Sequence, residues 1–131
     1  MIKSLTRPEL HIVKETWTPY GIYTGMVRKI GKSKDFTLEG EGTLVLKHTN
    51  GKVVTYTGEF MNDKKEGYGV MKKEEPSSKG STELELIDRV EGNWIEGKLN
   101  GFAFQLYSDG STFEGMYANG KRNGYGREAN A

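Results

Sequence analysis

The chain has 131 residues and a mass of 14.7 kDa, the size of one ordinary domain. Lacking cysteine, it can hold no disulfide, thiolate metal site or cysteine nucleophile, and 19 Lys and Arg against 18 Asp and Glu leave a net charge of +1, too little for a whole-chain field that would hold nucleic acid. Glycine is abundant, at 18 residues against 3 prolines, without the every-third spacing of collagen, and an aromatic content of 11% is unlike a disordered chain.

At the amino terminus, Met1 to Arg7 lacks the apolar core of a signal peptide, and Glu9 and Glu15 come too early for an acid-poor transit peptide. No run approaches the ~18 apolar residues of a membrane helix. The expected setting is therefore intracellular. Residues 1–22 are expected to form an N-terminal extension that caps the remainder, with Leu10-His-Ile-Val13 as a strand and Trp17-Thr-Pro-Tyr20 as a turn.

From Tyr23 onward the chain repeats itself. Tyr23-Thr-Gly25-Met-Val27, Tyr56-Thr-Gly58-Glu-Phe60, Val90-Glu-Gly92-Asn-Trp94 and Phe113-Glu-Gly115-Met-Tyr117 align. Each is followed by a second glycine element: Gly40-Glu-Gly42, Gly67-Tyr-Gly69, Gly101-Phe-Ala103 and Gly124-Tyr-Gly126. The leading glycines, at 25, 58, 92 and 115, are 33, 34 and 23 residues apart, so the shortest gap is the basic unit and the longer ones carry insertions. One insertion falls inside the first unit, and Glu74 to Ser81 reads as an inserted loop. Four units result, at 23–55, 56–89, 90–112 and 113–131.

Each unit reads as β-structure. In Tyr56-Thr-Gly-Glu-Phe60 the rings and the glycine share one face and the polar residues the other. Glu96-Gly97, Asn119-Gly120 and Asp63 supply turns within units, and Asn50-Gly51 and Asp109-Gly110 supply hairpin turns between strands. No stretch has a 3.6-residue period. Gly25, Gly58, Gly67, Gly69, Gly92, Gly101, Gly115, Gly124 and Gly126 are the repeat-motif glycines, and packing is their expected role, since a glycine on the inner face lets neighbouring rings lie over the backbone. The expected fold is all-β without substantial helix, an elongated single-layer antiparallel meander of stacked hairpins.

This pattern resembles the MORN (membrane occupation and recognition nexus) repeat, a 23-residue unit of the form Tyr-x-Gly-x-Trp followed by Gly-x-Gly. The resemblance covers residues 23–126 and is clearest from Phe113 to Gly126. Departures are Val27 and Val90 at aromatic positions and Ala103 for the final glycine of its unit. The resemblance implies a non-catalytic interaction platform with a groove along one face. It suggests a subunit of a ciliary axoneme or cytoskeletal assembly, with a mitochondrial complex as the alternative setting. Tyr56, Phe60, Trp94, Phe113 and Tyr117 are the expected groove residues. Protein partners are expected, with self-association through the last strand as a further route.

The residues offer little chemistry. His11 and His48 have no ligand-spaced neighbour, and Glu39/Glu41 and Glu83/Glu85 are the carboxylate pairs that alternating polar strands produce routinely. No metal, cofactor or catalytic residue is expected. Lys64, Lys65, Lys72, Lys73, Lys121 and Arg122 stand near turns and could meet anionic headgroups, so a peripheral membrane adaptor is the alternative function. Adjacent acids, Asp63, Glu66, Glu74 and Glu75, weaken that attraction.

Overall fold

The computed structural model describes residues 10–131. The readings of Met1 to Glu9, as the start of a capping extension and as a leader, lie outside the described residues. Nine strands follow one another: β1 (Leu10–Thr18), β2 (Gly21–Lys29), β3 (Phe36–Lys47), β4 (Val53–Met61), β5 (Lys64–Pro76), β6 (Leu84–Ile95), β7 (Lys98–Tyr107), β8 (Thr112–Ala118) and β9 (Lys121–Ala129). They form a single sheet in sequence order, each strand antiparallel to the next. The fold is all-β, and the described residues contain no helix.

Turn chemistry decides where the chain reverses. Asn62-Asp63 and Glu96-Gly97 have positive φ at both positions, as does Asn119-Gly120, the geometry of two-residue turns that match strand twist. Asn50-Gly51 behaves differently. The His48 N–H donates to Lys52 O at 2.8 Å, the Gly51 N–H to His48 O at 3.0 Å, and only the glycine is left-handed, which is the three-residue hairpin with a glycine bulge. The stretch from Glu74 to Ser81 is only partly a loop, since β5 continues through Pro76, opposite Leu84 of β6. Glu74 and Pro76 are weak strand formers, but pairing with Leu86 and Leu84 overrides local preference.

The four units share one irregularity. In the second, Gly58 pairs with Gly69 and Phe60 with Lys65, so Glu59 alone faces the three residues from Glu66 to Tyr68. The same bulge follows Gly25, Gly92 and Gly115. The first glycine of each second element, Gly40, Gly67, Gly101 or Gly124, sits in it with φ between 71° and 86°. The packing explanation is thus corrected for Gly67, Gly101 and Gly124. A Cβ would meet nothing within 4 Å at Gly101 or Gly124, and these glycines serve the backbone conformation of the bulge.

The second glycine, present in three of the four elements as Gly42, Gly69 and Gly126, has the other role. A Cβ on Gly69 would lie 2.2 to 2.5 Å from the Tyr56 ring and hydroxyl, and one on Gly42 would strike Tyr23 equally closely. On Gly126 it would lie 2.4 Å from the Phe113 ring. Each leading aromatic therefore lies across its own strand and the next on a bed of bare backbone. The Tyr56 hydroxyl donates to Glu59 O at 3.0 Å and the Tyr23 hydroxyl to Met26 O at 2.6 Å, so the ring also satisfies the carbonyl of the lone bulge residue.

Buried residues form one row along the inner face: Tyr23, Val27, Leu38, Tyr56, Phe60, Val90, Trp94, Leu99, Ala103, Phe113 and Tyr117. Burial of this order stabilises by roughly 1.5 to 3 kcal/mol per large side chain. Successive units are also stitched by backbone. The Asp63 N–H donates to Leu38 O at 3.1 Å, the Gly97 N–H to Lys65 O at 2.9 Å and the Gly120 N–H to Leu99 O at 2.9 Å. Each turn thereby fixes the position of the unit before it.

Candidate partner-binding groove

The five expected groove residues all lie on the inner face, but as its floor. Tyr56 is 1% exposed, Phe60 and Trp94 4%, Phe113 6% and Tyr117 7%. Their rings contact one another edge to face. Tyr23 meets Phe60 at 5.4 Å, Phe60 meets Tyr56 at 5.0 Å and Tyr56 meets Trp94 at 5.6 Å, while Phe113 and Tyr117 form a separate pair at 6.0 Å. The Trp94 indole N–H donates to Gly69 O at 3.2 Å, tying the third unit to the second. Such contacts contribute about 0.5 to 1.5 kcal/mol beyond burial.

Above this floor, between the first and second units, lies a groove of about 410 Å³. Tyr56 and Phe60 form its base, Leu44, Leu46 and Val54 its apolar wall, and Lys64, Lys65 and Gly97 its far end. Pro19 and Tyr20, in the turn between β1 and β2, overhang it, and the Tyr20 hydroxyl lies 3.4 Å from an Asp63 carboxylate oxygen. Trp94, Phe113 and Tyr117 do not line this groove.

Burial raises the Tyr23 hydroxyl to about 12 and lifts Tyr56 still further, so both stay neutral at physiological pH. Lys65, half-buried over the rings of Tyr56 and Trp94 at 5.6 Å from each centroid, is held below the usual lysine value by the same loss of water. Two of the six cations considered for lipid contact are already engaged by other groups. Arg122 stacks 3.6 Å over Phe113 and donates to Glu128 at 2.9 Å, and Lys72 pairs with Glu74 at 3.6 Å.

The outer face carries what periodicity alone makes easy to misplace. Tyr68, Phe102 and Tyr125, which lie between the paired glycines or beside them, have the opposite parity to the floor rings and are 55%, 54% and 86% exposed. The carboxylate pairs do not converge on a common site: Glu39 accepts the Asn62 N–H at 3.0 Å, and Glu85 stands opposite Glu75 in the strand register. Among the described residues, no three His, Cys, Asp or Glu converge where they could hold a metal.

The repeat geometry now has a counterpart among known families. The MORN repeat family model matches residues 56–74, 91–112 and 113–129. This is a MORN-repeat chain. The unit at 23–55 lies outside the matched stretches, yet its bulge and ring bed at Tyr23, Gly25 and Gly42 repeat the MORN geometry of the others. Alsin of Rattus norvegicus is 34% identical over 100 residues, which is 71% of this chain and 6% of that protein. Alsin of Homo sapiens is also 34% identical and that of Mus musculus 33%, over the same extent. The MORN chain thus spans 6% of the length of the curated relatives it matches. MORN repeats occur in protein-interacting and membrane-interacting scaffolds, and the family is generally non-enzymatic.

Proposed function

We propose that this MORN-repeat chain is a non-enzymatic scaffold module that binds an extended or helical segment of a protein partner along its inner face. The observation that carries this reading is the groove of about 410 Å³, with an aromatic base at Tyr56 and Phe60, an aliphatic wall at Leu44, Leu46 and Val54, and an overhanging Tyr20. A mostly apolar cleft with a few polar groups at its ends is suited to taking anchor side chains of a partner. The buried rings hold its base rigid and the stitched turns hold its ends, so little order has to be imposed on binding. On the family resemblance alone, the proposal extends to a subunit of a ciliary or cytoskeletal assembly.

Membrane attachment is the weaker reading. Arg122 and Lys72 already have carboxylate partners, and Lys65 faces the inner rings. The test replaces Leu46, which is 41% exposed on the groove wall, by Asp. Loss of co-purifying partners from extract, with an unchanged unfolding midpoint, is expected. Retention of the same partners by a folded Leu46→Asp protein would contradict the groove as the docking site.

A further inference from the structure

Four residues occupy one equivalent place in the units. Leu38 pairs with Val27, Lys65 with Phe60, Leu99 with Trp94 and Arg122 with Tyr117, each immediately beyond the bulge. Leu38, at 1% exposure, and Leu99, at 8%, cover the core with plain hydrocarbon. Arg122 brings a charge to this place, and that charge is met by Glu128 at 2.9 Å and the Tyr107 hydroxyl at 2.8 Å.

Lys65 differs from all three. Its ammonium group is half-buried at the end of the apolar groove, and no ion pair among the described residues includes it. The carboxylate in the same groove is committed elsewhere: one Asp63 oxygen accepts the Leu38 N–H at 2.7 Å and the other faces the Tyr20 hydroxyl. Ring faces compensate a desolvated ammonium only in part. Burial already depresses its affinity for the proton, and a leucine serves the packing of this place in two other units. A cation kept here without a counter-ion is suited to one brought by an occupant.

We infer that Lys65 receives a carboxylate from a peptide segment of a protein partner, whose neighbouring apolar side chains fill the groove over Tyr56 and Phe60. This rests on the groove reading above. One recessed ammonium beside an aliphatic wall matches a single Asp or Glu between apolar residues. A phosphate would call for several converging donors, and a planar bilayer reaches a recessed group less well than an inserted side chain does.

The test selects peptides from a random displayed library on the whole chain and measures the selected peptides by fluorescence anisotropy. Wild type, Lys65→Met, Lys65→Arg and Leu46→Asp are compared, each checked for an unchanged unfolding midpoint. The selected peptides are expected to share an acid between apolar residues. Lys65→Met is expected to weaken binding about tenfold, as is replacing the peptide acid by its amide, with no further loss when the two are combined. Lys65→Arg retains most of the affinity. Acid-free peptides bound equally by wild type and Lys65→Met would overturn the role of Lys65 and leave the groove standing. Peptides indifferent to Leu46→Asp would overturn the groove itself. Phosphatidylcholine vesicles with and without phosphatidylserine are run in parallel, and Lys65-dependent retention on the anionic vesicles with no peptide selected would overturn the inference in favour of a membrane.

Discussion

In the second unit Tyr56 lies over bare backbone at Gly58 and Gly69, whereas the third has Val90 at the leading position and sets Gly92 opposite Ala103. Viewed singly, Val90 and Ala103 are two departures from the repeat pattern. Viewed together they are one exchange: a short leading side chain leaves the neighbouring strand uncovered, and the methyl of Ala103, 1% exposed, occupies the space that a ring takes elsewhere. Trp94 of the third unit is then used across the boundary, its ring against Tyr56 and its N–H on Gly69 O. The contrast teaches that the repeat conserves filled volume over the ladder and lets the residue that supplies it vary.

The largest expected effect comes from giving the second unit the alanine of the third. Gly69→Ala places a Cβ within 2.5 Å of the Tyr56 ring and is expected to cost about 3 kcal/mol in urea unfolding, though alanine is native at the matching position 103. The converse, Val90→Tyr, drives a ring onto the Ala103 methyl and is expected to cost about 2 kcal/mol, most of it recovered by adding Ala103→Gly.

Smaller effects come from the tyrosine hydroxyls. Tyr23→Phe and Tyr56→Phe each leave a bulge carbonyl without its donor and are expected to cost about 1 kcal/mol at neutral pH. The same pair sets the alkaline limb of stability. Folding raises both hydroxyls above their ordinary value of 10.0, so their contribution is complete below pH 10 and is lost as pH rises through the folded value, about 12 for Tyr23. Stability is expected to fall above pH 10 with a slope of up to about 1.4 kcal/mol per pH unit for each, and the double Phe variant flattens that limb. The smallest effect belongs to the outer face, where Tyr68→Ser and Phe102→Ser are expected to change stability by less than about 0.5 kcal/mol in the same assay.

Strand order, the two-residue turns and the inner row were legible because period two, Asn-Gly and Glu-Gly pairs and the 23-residue repeat are all written locally. The two meanings of Gly-x-Gly were not. Gly67 and Gly69 look alike in a string, and only the three-against-one register shows that one turns the bulge while the other makes room for Tyr56. The same register brings Lys65 over Tyr56 and Trp94, a contact across strands that spacing along the chain does not announce. Sequence reading groups Tyr56, Phe60, Trp94, Phe113 and Tyr117 as groove residues; the structure buries all five in one inner row, and only Tyr56 and Phe60 of them line the cleft of about 410 Å³. The overhang of Tyr20 toward Asp63 depends on tertiary approach and has no local signal.

The claim that rings and glycines are coupled across the ladder is met most directly by a double-mutant cycle on Tyr56→Val and Gly69→Ala, followed by urea unfolding. If the ring occupies the space above Gly69, the double variant resembles the third unit and costs less than the sum of the singles by about 1.5 kcal/mol or more. Costs that add to within about 0.5 kcal/mol would show that the two positions act independently and would contradict the coupling.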